Sequence, residues 1–309
     1  MAWQDVIEAR AVRAVPSPLE SARFGRPVER LTVGAGSAAG SGAAPAQGEA
    51  PDPDDTLDAV REAVLESAAD VIVLRYPAER VGWFAALTGL GRTAIYADCL
   101  MYWRLSAGRG RPPEPSPGLR TGPLHDPDAV GALVADIFAA YGNHYLADPL
   151  LDPAAALAGY QEWAACSAAE GSCVALDDGA RVLGIATLED GGPRTEILLA
   201  GVVSAAQGRG LYGHLLKAVE DHALARGGGE VVISTQSHNT RVQRAWARYG
   251  FVPVQAHVTV HLVRTALLPS AGGTAPPRSA GAASFPRPAG GAASPRSAGG
   301  TTLPRPVDA

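Results

Sequence analysis

Between Glu196 and Gly213 the chain reads EILLAGVVSAAQGRGLYG, and this stretch constrains the fold more than any other. Ile197 to Val203 is an almost unbroken apolar run of the length of a buried strand. Gly208 and Gly210 then bend the chain into a helix whose apolar positions Leu211, Leu215, Val219 and Ala223 recur every four residues. A strand feeding a glycine turn at a helix start is suited to an anion. The first N–H groups of a helix lack internal partners, the dipole is positive there, and glycine lets a phosphate reach the backbone. Many ordinary strand-to-helix corners carry two glycines, so the sequence downstream has to decide between packing and binding.

At 309 residues the chain has room for two domains, and 47% hydrophobic content supports real cores. A net charge of -5 gives no general attraction to nucleic acid or anionic membranes, so phosphate recognition should be local. Arginine supplies nearly all the basic residues, Lys217 being the only lysine, which reads as coding bias in a chain rich in Ala, Gly and Pro. Cys99, Cys166 and Cys173 are odd in number and lack CxxC spacing, as suits reduced thiols in a cytoplasmic protein without a metal. No signal peptide or membrane span is visible.

Taken in order, residues 6–15 and 28–33 read as short strands separated by PSPLESARFGRP, and residues 34–55 as a mobile Gly/Ala/Ser/Pro insertion. A helix begins at Thr56 with Leu57, Val60, Val64 and Leu65 at helical spacing. Val71 to Leu74 reads as a buried strand, Pro77 as the opening of a helix through Leu87, and Thr93 to Leu105 as a strand. Residues 1–105 thus form a small α/β domain without a catalytic constellation, in which Arg75 and Asp98 read as structural, and residues 106–118 form an exposed linker.

A second unit, 119–264, opens with helices from Asp126 to Phe138 and from Pro153 to Ala169. The intervening YGNHYLADPLLD gathers Asn143, His144, Tyr145 and Asp148, either as a packed loop or as substrate contacts. Strands 173–176, 181–188 and 196–203 follow as hairpins. After the glycine turn and its helix come a strand at 230–235, a helix at 239–249 stopped by Gly250, and a strand at 254–263. His257, Thr259 and His261 share one face of that last strand, read as exposed. Residues 265–309 read as a disordered tail.

This order, with VVSAAQGRG before one helix and NTRVQRAWARYGF on the next, resembles the GNAT superfamily of acyl-CoA-dependent N-acyltransferases over residues 119–264. Gln207, Gly208, Arg209 and Gly210 stand at the family's Q/R-x-x-G-x-G/A turn, and Asn239, Trp246, Gly250 and Phe251 match its second motif. The resemblance implies an α/β (α+β) fold, with a mixed, mostly antiparallel sheet flanked by helices and a smaller α/β domain in front. It implies acetyl-CoA as co-substrate. Val202 and Val203 would pair with pantetheine, and amides of Gln207, Gly208, Arg209, Gly210, Leu211, Tyr212 and Gly213 would take the pyrophosphate, with Asn239 and Trp246 beside them. Glu196 is the candidate base, with His144, His257 and His261 as rivals. Trp246 stands where many relatives carry the Tyr that protonates the leaving thiolate, and an indole N–H is no usable acid. Tyr249, one turn further, is the substitute.

LESARFGRPVERL, HYLADPLLDP and STQSHN further resemble the branch that acetylates nucleotide-linked amino sugars. Expected partners are a small-molecule amine, held by Asn143, His144 and Tyr145, with room for a homodimer but no nucleic acid and no membrane. A peptide or protein amine is the alternative acceptor. A non-catalytic acyl-CoA-binding module is the alternative of a different class, motivated by Trp246.

Overall fold

The computed structural model describes residues 12–34 and 53–269. The first strands and helices are β1 (Val12–Pro16), α1 (Pro18–Phe24), β2 (Val28–Val33), α2 (Pro53–Glu66), β3 (Val71–Pro77), α3 (Trp83–Leu87) and β4 (Thr93–Ser106). Then follow β5 (Arg120–Pro123), α4 (Pro127–Phe138), α5 (Pro153–Ala169), β6 (Cys173–Asp177), β7 (Val182–Gly191) and β8 (Arg194–Val202). The chain closes with α6 (Tyr212–Ala225), β9 (Glu230–Gln236), α7 (Thr240–Tyr249) and β10 (Val252–Val263). The strands among the described residues make one sheet in the order β1-β2-β3-β10-β4-β9-β8-β7-β6-β5.

Eight of the ten strands, β1 to β7 in that order, are arranged symmetrically about the β10/β4 pair, with β6 and β5 added at one edge. β10 and β4 lie in the middle, flanked by β3 and β9, then β2 and β8, then β1 and β7. Both β2/β3 and β8/β9 are parallel pairs, and both β1/β2 and β7/β8 are antiparallel. The last strand of each half pairs with the parallel pair of the other: β4 runs beside β9, and β10 beside β3. The sheet therefore passes without a break across residues 106–118, where the sequence suggests a linker.

Register puts α2, α3, α6 and α7 over one face. Val60, Val64, Trp83 and Leu87 pack there on Ile72, Leu74, Val260 and Leu262. Leu215, Val219 and Trp246 pack on Trp103, Ile197 and Ile233. The opposite face holds α4 and α5 on Ile185 and Leu199, and Tyr145, Leu151 and Ala156 on Val71, Val73 and Val263. Among the described residues no helix is long and apolar enough to cross a membrane.

Four boundaries differ from the sequence reading. Pro77 ends β3 instead of opening a helix, because β3 is sandwiched between β2 and β10 and pairing with β10 reaches Pro77 itself. PSPLESARFGRP is more than a spacer: Pro18 starts α1, and Gly25, at φ 62, closes it by donating its N–H to Ser21 O. Residues 106–111 are pinned, since Gly108 and Gly110 N–H both donate to Glu220 Oε1 at 2.8 Å. Arg111 N–H donates to Tyr249 O. Thr265–Leu267 is a 3-10 turn. Residues 270–309 of the tail lie outside the described residues, as do residues 6–11 of the expected first strand and 35–52 of the insertion.

Candidate active site

β8 and β9 run together from Arg194/Glu230 to Ile197/Ile233 and no further. On its other edge β9 stays paired with β4 as far as Gln236/Leu100. Residues 198–202 are thus held only by β7, and a slot opens between two parallel strands. Alternation along β8 turns Val202 to the slot. Its carbonyl accepts from Gln207 Nε2 at 3.1 Å. Val203 is a correction to the sequence reading: its N–H donates to Leu183 O and its carbonyl accepts from Ala206 N–H, both at 2.9 Å, because the chain turns there into the 3-10 segment Ser204–Ala206.

The slot leads to the glycine turn. Gly208 and Gly210 sit at φ 80 and φ 77, the left-handed region that favours glycine, and nothing lies within 4 Å of where a Cβ would stand on either. Gly213 N–H donates to Gly210 O, and His214 and Leu215 N–H to Leu211 O. The N–H groups of Gly208, Arg209, Gly210, Leu211 and Tyr212 have no acceptor among the described residues. Free donors at a helix start and open space above two glycines form a concavity that fits an anionic phosphate group. Gly213 serves differently: a Cβ there would come within 3.3 Å of Pro113, so it lets the 106–118 segment approach. Arg241, on α7, donates to Gln207 Oε1 at 3.2 Å and adds a cation beside the turn. The sequence reading passed it over, though its place two residues after Asn239 was visible.

On α7, Asn239 Nδ2 donates to Thr235 Oγ1 at 3.1 Å. Trp246 is buried between Trp103 and Phe251, and its indole N–H donates to Tyr212 Oη at 3.1 Å. The Tyr212 hydroxyl proton then has no acceptor among the described residues. Burial raises the Tyr212 pKa above its ordinary value, the Trp246 hydrogen bond opposing, so the phenol stays protonated at neutral pH. Tyr249 is a correction: its hydroxyl donates to Glu220 Oε2 at 2.6 Å inside the core, an interaction that ties α7 to α6 and commits the proton to the fold.

His257 and His261 also depart from expectation, because both are buried, and Glu196 is buried with them. Helix α1 and the segment from α4 to α5 cover a strand face that its polar alternation marks as exposed. His144 joins them: its Nδ1 lies 2.9 Å from His261 Nε2, and His261 Nδ1 lies 2.9 Å from Asp148 Oδ2. With both rings neutral and Asp148 accepting, His261 donates from Nδ1 to Asp148 and His144 donates from Nδ1 to His261 Nε2, and in that arrangement His144 Nε2 is a lone-pair nitrogen.

Asn143 and Tyr145, expected at the acceptor, hold structure. Asn143 Oδ1 accepts from Tyr145 N–H and caps the 3-10 turn His144–Ala147. The Tyr145 hydroxyl donates to Glu20, which also takes Arg30 at 2.7 Å. Burial raises the Glu20 pKa, but the Arg30 hydrogen bond and charge outweigh it and bring the group down to about 2. A depressed carboxylate stabilises the fold fully above its unfolded pKa, so this contribution is complete above 4.5 and fades as pH falls towards about 2. Glu20→Gln is expected to flatten that part of the acid-unfolding curve, and an unchanged acid limb in urea melts would contradict the pairing.

A slot between parallel strands that ends in unpartnered amides at a helix start has the form of a site for an extended ligand with an anionic group. Residues 135–251 match the model of the Acetyltransferase (GNAT) family. Over that segment the chain is similar to the acyl-CoA-dependent N-acetyltransferases of the family. Its fold is similar to that of a GCN5-related N-acetyltransferase from Sphaerobacter thermophilus, at 14% identity and a TM-score of 0.51, covering 82% of this chain and 77% of that one. A GCN5-related N-acetyltransferase from Kribbella flavida is also similar, at 16% identity and a TM-score of 0.47, over 82% and 90%. So is a tandem GNAT protein from the clavulanic acid biosynthesis pathway, at 15% identity and a TM-score of 0.47, over 78% and 76%. No protein with a curated description matches the chain.

Proposed function

We propose that the protein transfers the acetyl group of acetyl-CoA to a primary amine of a small molecule by direct attack, with a nucleotide-linked amino sugar as one acceptor of suitable chemistry. The observation that carries this reading is the slot beyond Ile197/Ile233 ending at the unpartnered amides of Gly208 to Tyr212. Those amides would take the pyrophosphate, with Arg209 and Arg241 adding charge, and Val202 N–H would align the pantetheine arm. The thioester supplies an activated acyl carbon when bound.

The amine must lose a proton to attack. Glu196, buried on β8 just before the strands part, is the proposed acceptor of that proton, and His144 Nε2 on the same sheet face is the alternative. Tyr212 replaces the proton donor that Trp246 cannot be, its hydroxyl held by the Trp246 indole N–H and its proton uncommitted. Tyr212→Phe is expected to lower kcat roughly tenfold or more, within the range of general-acid effects, with little change in acetyl-CoA affinity. An unchanged kcat in single-turnover experiments would remove Tyr212 from the reaction. Release of free thiol from acetyl-CoA over a panel of small amines, nucleotide-linked amino sugars and peptides tests the reading as a whole.

A further inference from the structure

The sheet face under α1, α4 and α5 holds a row of polar groups that the reaction above does not use. Thr259 on β10 is paired with Arg75 of β3 on one side and Asp98 of β4 on the other, so three side chains rise in line from adjacent strands. His257 is two residues along β10 on the same face. Arg75 Nε donates to Thr259 Oγ1 at 3.3 Å. Asp98 is 6% exposed and His257 0%, yet among the described residues neither carboxylate oxygen has a hydrogen-bond partner, and the His257 ring, with the Val33 backbone beside it, has none in ordinary hydrogen-bond geometry.

Buried polar groups are almost always satisfied, and an unpaired buried carboxylate is costly enough to need an explanation. Two neighbouring ones on one face ask for a shared explanation. The backbone is also adapted at this point. The pairing jumps from Thr259/Asp98 to Val260/Tyr96, leaving Ala97 as an extra residue, and such bulges re-aim side chains beside functional sites. The Tyr102 ring stands edge-on to His257 at 5.5 Å and fixes the imidazole plane. Burial, and then the Arg75 charge, bring the His257 pKa down to about 4, so the ring is neutral at pH 7 and offers one acceptor nitrogen.

We infer that Asp98 and His257 bind an ammonium group of the acceptor, and that the acceptor is an extended amine carrying a second cationic nitrogen besides the one acetylated. An ammonium has three N–H donors: two satisfy the Asp98 oxygens and the third the free imidazole nitrogen. The inference rests on the acetyl-transfer reading for the position of the other end. Glu196 is paired with Val232, and Val232 with Arg104, six residues along β4 from Asp98. At strand spacing, six residues along and two strands across separate the two backbones by about 22 Å, and because both side chains rise from the same face the carboxylates stay roughly 15–20 Å apart. One nitrogen cannot reach both, whereas a molecule with two nitrogens about that far apart can.

Straight-chain α,ω-diamines of graded length, each against its monoamine of equal carbon number, test this directly. Diamines of about ten to twelve methylenes should show a KM at least tenfold below that of the monoamines, and Asp98→Asn should erase the difference while acetyl-CoA affinity stays the same. The same variant should melt at a higher temperature, because it replaces a buried carboxylate that has no hydrogen-bond partner; a purely structural Asp98 would instead lose stability. Titration calorimetry of 1,12-diaminododecane onto wild type and Asp98→Asn reads the site without turnover, so it stands even if no amine is acetylated. His257→Phe provides a second variant with the same expected loss. Equal KM for diamines and monoamines, or equal calorimetric binding to wild type and Asp98→Asn, would overturn the inference.

Discussion

Gly210→Asp is expected to weaken acetyl-CoA binding by at least roughly 100-fold, equivalent to about 2.7 kcal/mol, while the protein still folds. The glycine sits at φ 77 with open space above it, so the new side chain meets no atom of the protein. Aspartate tolerates the left-handed region better than most residues, and the backbone cost stays at about 1–2 kcal/mol. The carboxylate, however, projects over the unpartnered N–H groups of Gly208 to Tyr212. It would occupy the concavity that a pyrophosphate needs and repel what approaches. Gly210→Asn, equal in size but neutral, separates the charge from the bulk and should lose less affinity. Calorimetric titration with acetyl-CoA, with circular dichroism to confirm folding, gives the comparison. Unchanged affinity in the aspartate variant would remove the glycine turn from the coenzyme site.

Glu220→Ala is expected to cost about 3–4 kcal/mol of folding stability, since charge-assisted hydrogen bonds contribute about 1.5–3 kcal/mol each and two of the donors can turn to water. Glu220 is buried, and accepts from Gly108 N–H, Gly110 N–H and the Tyr249 hydroxyl. One carboxylate thereby joins α6, α7 and the crossing segment that leads out of β4. Burial, then the Glu220 hydrogen bond, raise the Tyr249 pKa, so the phenol remains a donor throughout the neutral range. Tyr249→Phe should cost less, because Glu220 keeps its two backbone donors. Urea unfolding monitored by tryptophan fluorescence measures both, and a loss below about 1 kcal/mol in Glu220→Ala, the size of one ordinary hydrogen bond, would show that the segment is held by other means.

What the sequence made legible was local. The strand, the glycine turn and the first helical residues stand together between Glu196 and Gly213, and the observed φ values at Gly208 and Gly210 follow from residues that are adjacent in the chain. Asp126 as the cap of α4 was readable for the same reason, and it accepts from Asp128 and Ala129 N–H. The exchange of β4 and β10 was not readable. Trp103/Ile233 and His261/Val73 pair residues more than a hundred positions apart, and no local pattern encodes which of two apolar strands a third will join. Polar alternation on β10 suggested a solvated face for His257, Thr259 and His261, because period-2 patterning reports which residues share a face and not what covers it. The cover comes from α1 and the His144–Ala147 turn, contributed by distant parts of the chain. Trp246 was legible as the missing acid, but its hydrogen bond to Tyr212 brings together two helices and appears only in three dimensions.

The most direct test couples two readouts in one reaction: free thiol from acetyl-CoA and the acetylated amine by mass spectrometry, over the graded amine panel. Equal amounts of thiol and N-acetyl product, both lost in Gly210→Asp, are the predicted result. Tight acetyl-CoA binding to the wild-type protein with neither thiol nor acetylated amine from any acceptor would contradict the account and leave an acyl-CoA-binding module in its place.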